Sequence, residues 1–216
     1  MEIKVMKNIL GENDKIAAEN RKMFREKKIV VVNLMGSPGS GKTSLLEKTL
    51  SKIAEKINVA VIEGDLFTAR DAERIERHKI PVVQINTSGG CHLDAAMVRR
   101  AAESINLDET DLLIVENVGN LVCPAEFDVG ENFKAVVLSI TEGDDKPMKY
   151  PLIFKESAIT LLNKIDLLPF TNFDVAAARE DLTTLHPNIE IIETSCTKNI
   201  GLDAWADWLL KKVEVI

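Results

Sequence analysis

Cysteine is scarce in this chain of 216 residues. There are three, an odd count that does not fit a disulfide framework and is in keeping with a reducing cytoplasm. Aromatic residues amount to 5%, and no apolar run reaches the roughly 18 residues that cross a bilayer, so a spanning helix is excluded. Excess positive charge is missing too. Lys and Arg total 27 against 34 Asp and Glu, a formal net charge of −7, whereas non-specific nucleic-acid binding needs a cationic surface. Residues 1–28 mix charges throughout and lack the apolar core of a secretion signal. The 45% of hydrophobic residues suffices for one domain with a sizeable core, but the length does not allow two large ones. The expectation is a cytoplasmic globular protein with no membrane or nucleic-acid partner.

Short apolar runs alternate with helical patterns along the chain. The strand candidates are Ile29–Leu34, Val59–Glu63, Val82–Asn86, Leu112–Glu116, Ala135–Thr141, Ala158–Asn163 and Ile189–Thr194. Most are near-continuous Val/Ile/Leu segments, as in parallel strands buried on both faces. Helices are predicted over Lys42–Lys56, Thr68–His78, Leu93–Ser104, Asp174–Leu185 and Leu202–Val213. This alternation predicts an α/β fold: a doubly wound, mostly parallel sheet of about seven strands with helices on both faces. Residues 1–28 read as an amphipathic leader helix (Ile16, Asn20, Met23, Phe24), docked or partly mobile, and 29–216 as the main domain.

Gly36-Ser37-Pro38-Gly39-Ser40-Gly41-Lys42-Thr43 satisfies G-x-x-x-x-G-K-[ST] between a buried strand and a helix. The glycines let backbone N–H groups close on phosphate oxygens, helped by the helix N-terminus, where Ser44 also lies. Lys42 supplies charge to the β/γ-phosphates, and Thr43 offers a hydroxyl to Mg²⁺. Asn163-Lys164-Ile165-Asp166, about 120 residues on, has the N-K-x-D form that reads guanine. The Asp166 carboxylate can accept from the ring N1–H and the exocyclic amine of guanine, whereas adenine offers neither donor there. Ser195-Cys196-Thr197 follows the last strand, where backbone N–H groups can meet the guanine carbonyl. Together these make a P-loop domain that takes GTP.

On the γ-phosphate side, Glu63-Gly64-Asp65 ends the second strand, and Asp65 is a candidate for Mg²⁺ or its water. Glu116-Asn117-Val118-Gly119 ends the fourth strand. Glu116 stands at the acidic position as a second Mg²⁺ candidate, and Gly119 can offer its N–H to the phosphate. Strand-end capping is the alternative for either acid. Asn120 stands where a water-positioning glutamine is usual, so slow hydrolysis is expected, with Lys42, Asp65, Glu116 and Gly119 carrying it. Cys91-His92 follows a Gly-Gly pair at the expected start of a helix, and Cys123 lies four residues beyond Gly119. Two thiolates and an imidazole suit Ni²⁺ or Zn²⁺ but fill only three positions, so water or a second chain would complete the set. Spacing alone leaves a packing role open. Cys196 reads as a guanine-loop residue, and His78 and His186 as helix-surface residues.

Assembled, these segments resemble the hydrogenase nickel-incorporation GTPases, the HypB family. The resemblance rests on GSPGSGKT (36–43), EGD (63–65), NTSGGCHLDA (86–95), ENVGNLVCPAEFDVGE (116–131), TEGDDKP (141–147) and NKID (163–166), collinear from about Lys28 onward. It implies a P-loop GTPase of the branch that dimerises with nucleotide, and a maturation factor that helps deliver nickel to the large subunit of [NiFe]-hydrogenase. It also implies a nickel metallochaperone partner, and Cys91, His92 and Cys123 as the metal residues. The N-terminal cysteine motif or His-rich tract of some members does not precede Cys91, so one metal site is expected. Glu142–Lys146 is expected to form a dimer contact near the nucleotide. The Cys-Pro-His motif of urease accessory GTPases is absent. Competing readings are an ATP-using small-molecule kinase, a regulatory GTPase without a metal site, a signal-recognition-type GTPase, or an accessory GTPase for another nickel enzyme such as urease.

Overall fold

The computed structural model describes residues 4–65 and 70–215. Helix α1 (Lys4–Glu26) leads into β1 (Val30–Gly36), α2 (Lys42–Ile53), β2 (Val59–Asp65), α3 (Arg70–Glu76), β3 (Val82–Asn86), α4 (Ala95–Ala102) and β4 (Leu112–Glu116). The second half runs α5 (Cys123–Glu126), β5 (Phe133–Ser139), α6 (Lys146–Lys149), α7 (Pro151–Lys155), β6 (Ile159–Asn163), α8 (Val175–Leu185), β7 (Glu190–Thr194) and α9 (Leu202–Glu214). The seven strands form one parallel sheet, as the sequence predicts, and the structure orders them β3-β2-β4-β1-β5-β6-β7.

Strand β1 is central, and its alternating side chains feed both layers. Val30, Val32 and Leu34 pack with Leu45, Leu50, Trp205 and Leu209 under α2 and α9. On the other face Val31 joins Phe24, Val98 and Val115 beneath α1 and α4, and Met35 joins Leu138, Phe154 and Leu182 beneath α7 and α8. Burial of such side chains stabilises by about 1.5–3 kcal/mol each before entropy is counted. Parallel strands put their carboxyl ends on one edge, where doubly wound sheets bind ligands.

Helix α1 is docked. Asn13, Ala17, Asn20 and Phe24 recur at helical spacing and are buried on one face. Asn20 Nδ2 donates to Ala95 O at 2.8 Å and Val129 O at 3.0 Å, and Asn13 accepts from Ala95 N at 2.9 Å.

Several boundaries differ from expectation. Strand β5 ends at Ser139, not Thr141, because Glu142 Oε1 takes the Ser139 N–H. Helix α4 begins at Ala95, not Leu93, because the Asp94 side chain caps it by accepting from Met97 N. Helix α2 ends at Ile53, the chain turning through Ala54–Lys56. Thr68, the predicted start of α3, lies outside the described residues. His78 and His186 fall just past helix ends, with His186 Nδ1 against Ser157 O at 3.0 Å. Helices α5, α6 and α7 were not predicted. Among the described residues no helix is long and apolar enough to cross a membrane.

Candidate functional site

A cleft at the carboxyl edge, about 450 Å³, is lined by the β1–α2 loop, the ends of β2 and β4, and α3. Residues 37–41 form that loop, with Gly36 ending β1 and Lys42 and Thr43 opening α2. Gly41 has φ 101°, and a Cβ there would lie 2.4 Å from Asn163 Nδ2, so only glycine fits. Lys42 is buried, its Nζ held 3.3 Å from both Gly36 O and Ser37 O. Burial lowers its pKa, opposed by Glu116 and Glu142. Thr43 Oγ1 donates to Glu116 Oε1 at 2.7 Å. The Ser40 hydroxyl and the Oε2 atoms of Glu63 and Glu116 are buried without a hydrogen-bond partner. Buried polar atoms of that kind are costly, and in a cleft they mark where a polar ligand belongs.

Glu63 and Glu116 stand side by side in the β2–β4 register. Burial, then each other's company and that of Asp65, pushes the Glu63 pKa to about 8. Glu116 rises to about 7 through burial, against the pull of Lys42 and Thr43. Asp65, the predicted Mg²⁺ candidate, lines the same cleft. So do Asp71 and Arg74, which the sequence reading did not single out. Arg74 bridges Glu47, at 2.5 Å, and the Ser44 hydroxyl, at 3.0 Å.

The predicted base-reading segments lie together beside the loop. Asn163 Nδ2 donates to Ser40 O at 2.9 Å, and Lys164 Nζ to Gly39 O at 2.6 Å. Asp166 accepts from Ser195 Oγ at 2.5 Å and from Thr197 Oγ1 at 2.9 Å. Those bonds hold its carboxyl below the ordinary range. Cys196 packs its side chain against the α2–α9 core, and burial raises its thiol pKa.

Cys91, His92 and Cys123 meet as predicted, their ligand atoms all within 4.8 Å of one another. The Cys91 thiol donates to Cys123 Sγ at 2.9 Å, and His92 Nδ1 lies 3.5 Å from Cys91 Sγ. Cys91 precedes the start of α4 by four residues and so lies in a loop, not at the helix start as expected. The hydrogen bond from Cys91, with burial, raises the Cys123 pKa, and burial lowers that of His92, favouring the neutral ring that ligates metals. Phe127 stacks on His92 with centroids 3.8 Å apart. That contact, 35 positions away in sequence, left no local signal.

The cleft and this cluster are joined by a few residues. Asn120 N donates to Gly36 O at 3.0 Å, while its side-chain Nδ2 reaches Cys91 O at 3.4 Å. Gly119 lies so close to the phosphate loop that a Cβ on it would be 2.8 Å from Pro38 Cα and N.

The sequence profile of the CobW/HypB/UreG nucleotide-binding domain matches residues 30–193. The chain is 50% identical over 206 residues to the hydrogenase maturation factor HypB of Escherichia coli K12, covering 94% of this chain and 70% of that protein. It is 41% identical to a probable HypB of Methanocaldococcus jannaschii, covering 98% and 96%. The crystal structure of Helicobacter pylori HypB in complex with nickel superposes with a TM-score of 0.90 at 37% identity, covering 94% of this chain and 95% of that one. HypB from Archaeoglobus fulgidus gives 0.88 at 38%, covering 94% and 99%. At 16% identity, an LAO/AO transport system kinase shares the fold alone, with a TM-score of 0.63. The chain belongs to the HypB branch of the CobW/HypB/UreG family, the GTPases of hydrogenase maturation.

Proposed function

We propose that the chain is a GTP-driven nickel switch in which nucleotide state and metal binding share one short loop. The observation that carries this is Asn120, whose backbone is bonded to Gly36 of the phosphate loop and whose side chain is bonded to Cys91 of the metal cluster. GTP is the substrate. Residues 36–44 cradle its phosphates, Lys42 exchanging its two carbonyl partners for phosphate oxygens. Asn163, Lys164 and Asp166, with Ser195–Thr197, read guanine. The residues fit Mg²⁺: Thr43, Glu116 and Asp65 are hard oxygen donors, and Glu116 keeps one oxygen unpartnered. Held by these residues, Mg²⁺ would supply positive charge to offset that of the transferring phosphoryl group. Gly119 offers its N–H to the γ-phosphate, and with no glutamine at Asn120 to orient water, hydrolysis is slow.

Nickel is the cargo, with zinc as the competing ion of similar taste for thiolate and imidazole. Cys91, His92 and Cys123 supply three ligands. The fourth would come from water or from a second copy of the chain, two chains meeting in the GTP state with their metal sets facing. Tightening at Gly119 moves Cys123, four residues on, and hydrolysis relaxes it, releasing nickel toward the hydrogenase large subunit. A nickel-carrying partner loads the site. Thiolate ligands need a reducing setting, so the cytoplasm is the compartment that suits this work. Residues 1–28, whose described part carries α1 (Lys4–Glu26), are best read as a leader segment to the GTPase domain of 29–216, with α1 clasped onto it.

The test is a nickel titration of the chain loaded with GDP and with a non-hydrolysable GTP analogue, with light scattering to size each state. Different affinities, and a larger species with the analogue, support the reading. Equal affinities and stoichiometries defeat it.

A further inference from the structure

A line of buried polar side chains runs behind both loops, where the layer pattern calls for apolar ones. Asn33 lies in β1 between Val31 and Met35, fully buried on their face of the sheet. Its Oδ1 accepts from Asn117 Nδ2 at 3.1 Å, and its own Nδ2 donates to Glu131 Oε1 at 3.4 Å. Asn117, also buried, turns its Oδ1 to two backbone donors, Leu93 N and Val118 N, each at 3.0 Å. Glu131 Oε2 accepts from Val129 N at 2.8 Å. These bonds join the residue after His92, the residue before Gly119, and the chain beyond Cys123.

A buried amide is kept in place by its partners, because each bond lost leaves an unpaired group in a medium of low dielectric. Asn117 has little freedom. Its backbone N–H is fixed to Leu34 O at 2.9 Å, and its side chain is fixed at both ends. It therefore moves with the phosphate-facing segment or not at all. The exposed Asn120–Cys91 contact, at 3.4 Å, is a weaker tie to the same metal loop.

We propose that Asn117 is a positioning residue of the metal cluster: its amide fastens Leu93, and through it His92 and Cys91, to the segment that faces the γ-phosphate. A displacement at Gly119 then reaches both halves of the cluster, through Cys123 on one side and through Leu93 on the other. The inference rests on the nucleotide–nickel coupling proposed above and names the second arm that carries it.

The test uses the full chain and Ni²⁺ alone, followed by the thiolate-to-nickel charge-transfer absorption in the GDP and GTP-analogue states. In the parent chain the ratio of affinities is expected to be about tenfold, within the usual range for coupled sites. Asn117→Ala is expected to bring it within about twofold, and Asn33→Ser, which leaves the bond to Leu93 but removes its anchor, to an intermediate value. A coupled parent with Asn117→Ala still coupled overturns this inference alone. A parent without coupling overturns the reading beneath it, and this one with it. Should Asn117→Ala not fold, amide hydrogen exchange at Leu93 in the parent decides. Protection that changes with nucleotide supports the tie, and unchanged protection overturns it.

Discussion

Replacing Gly119 by alanine tests whether the phosphate-facing loop has any room to give. The added Cβ would sit 2.8 Å from both Pro38 Cα and Pro38 N, against 3.4–4 Å for an ordinary contact. The loop or the phosphate loop must therefore yield by about 0.6 Å. Neither does so freely, because Asn117 N is bonded to Leu34 O at 2.9 Å and Asn120 N to Gly36 O at 3.0 Å, on either side of Gly119. Overpacking of this kind costs about 1–3 kcal/mol, and losing one of the flanking bonds adds about 1 kcal/mol. If half of that strain falls on the GTP-bound arrangement, hydrolysis drops by about tenfold, which corresponds to about 1.4 kcal/mol of barrier. Single-turnover GTP hydrolysis by Gly119→Ala, alongside its melting temperature, reads both effects. Hydrolysis within twofold of the parent at an unchanged melting temperature refutes the reasoning.

Cys123→Ala is expected to lose nickel binding while hydrolysis changes by no more than several-fold, and Lys42→Ala to abolish hydrolysis while some nickel still binds. Loss of both activities in both variants points to misfolding instead. Asp166→Ala should cut the preference for GTP over inosine triphosphate, which lacks the exocyclic amine, by roughly tenfold to hundredfold, the worth of a charged hydrogen bond of about 1.5–3 kcal/mol. Competition binding measures it, and an unchanged preference moves base reading elsewhere. Asn20→Ala leaves the carbonyls of Ala95 and Val129 without their donor. A stability loss of about 1–3 kcal/mol by urea unfolding is expected, and no loss means that α1 is not clasped. Glu63 and Glu116, raised from 4.5 to about 8 and about 7, hold protons in the native state that the unfolded chain gives up. Stability of the nucleotide- and metal-free chain should fall as pH rises from about 4.5 to about 8, and a rise over that window contradicts the assignment.

The parts of the site that lie in one stretch of chain were legible. GSPGSGKT and NKID stand out because a phosphate cradle and a base reader, the roles proposed for them, are each built from consecutive residues, and the near-continuous Val/Ile runs mark strands buried on both faces. The meeting of Cys91, His92 and Cys123 was also anticipated, since both loops follow parallel strands and so share the sheet's carboxyl edge. Contacts made across the fold were not. Phe127 on His92, Arg74 on Ser44 and Asn117 on Leu93 depend on how separate elements pack, and asparagine or phenylalanine at those positions has no local period to betray it. Helices α5, α6 and α7, at four or five residues each, are too short to show a helical repeat. The sequence pattern carries strand β5 on into Ile140 and Thr141 because apolar and β-branched residues continue past the point where Glu142 takes the Ser139 N–H.

If phosphate and thiol-bound cargo act on one another, the effect must run in both directions with the same factor. The most direct measurement is the affinity for the GTP analogue with and without saturating Ni²⁺, set beside the nickel affinity with and without the analogue. The account predicts two equal ratios, both different from one, in the parent chain, and a nucleotide-affinity ratio of one in Cys123→Ala, which binds no nickel. A nucleotide affinity that nickel leaves untouched in the parent contradicts it.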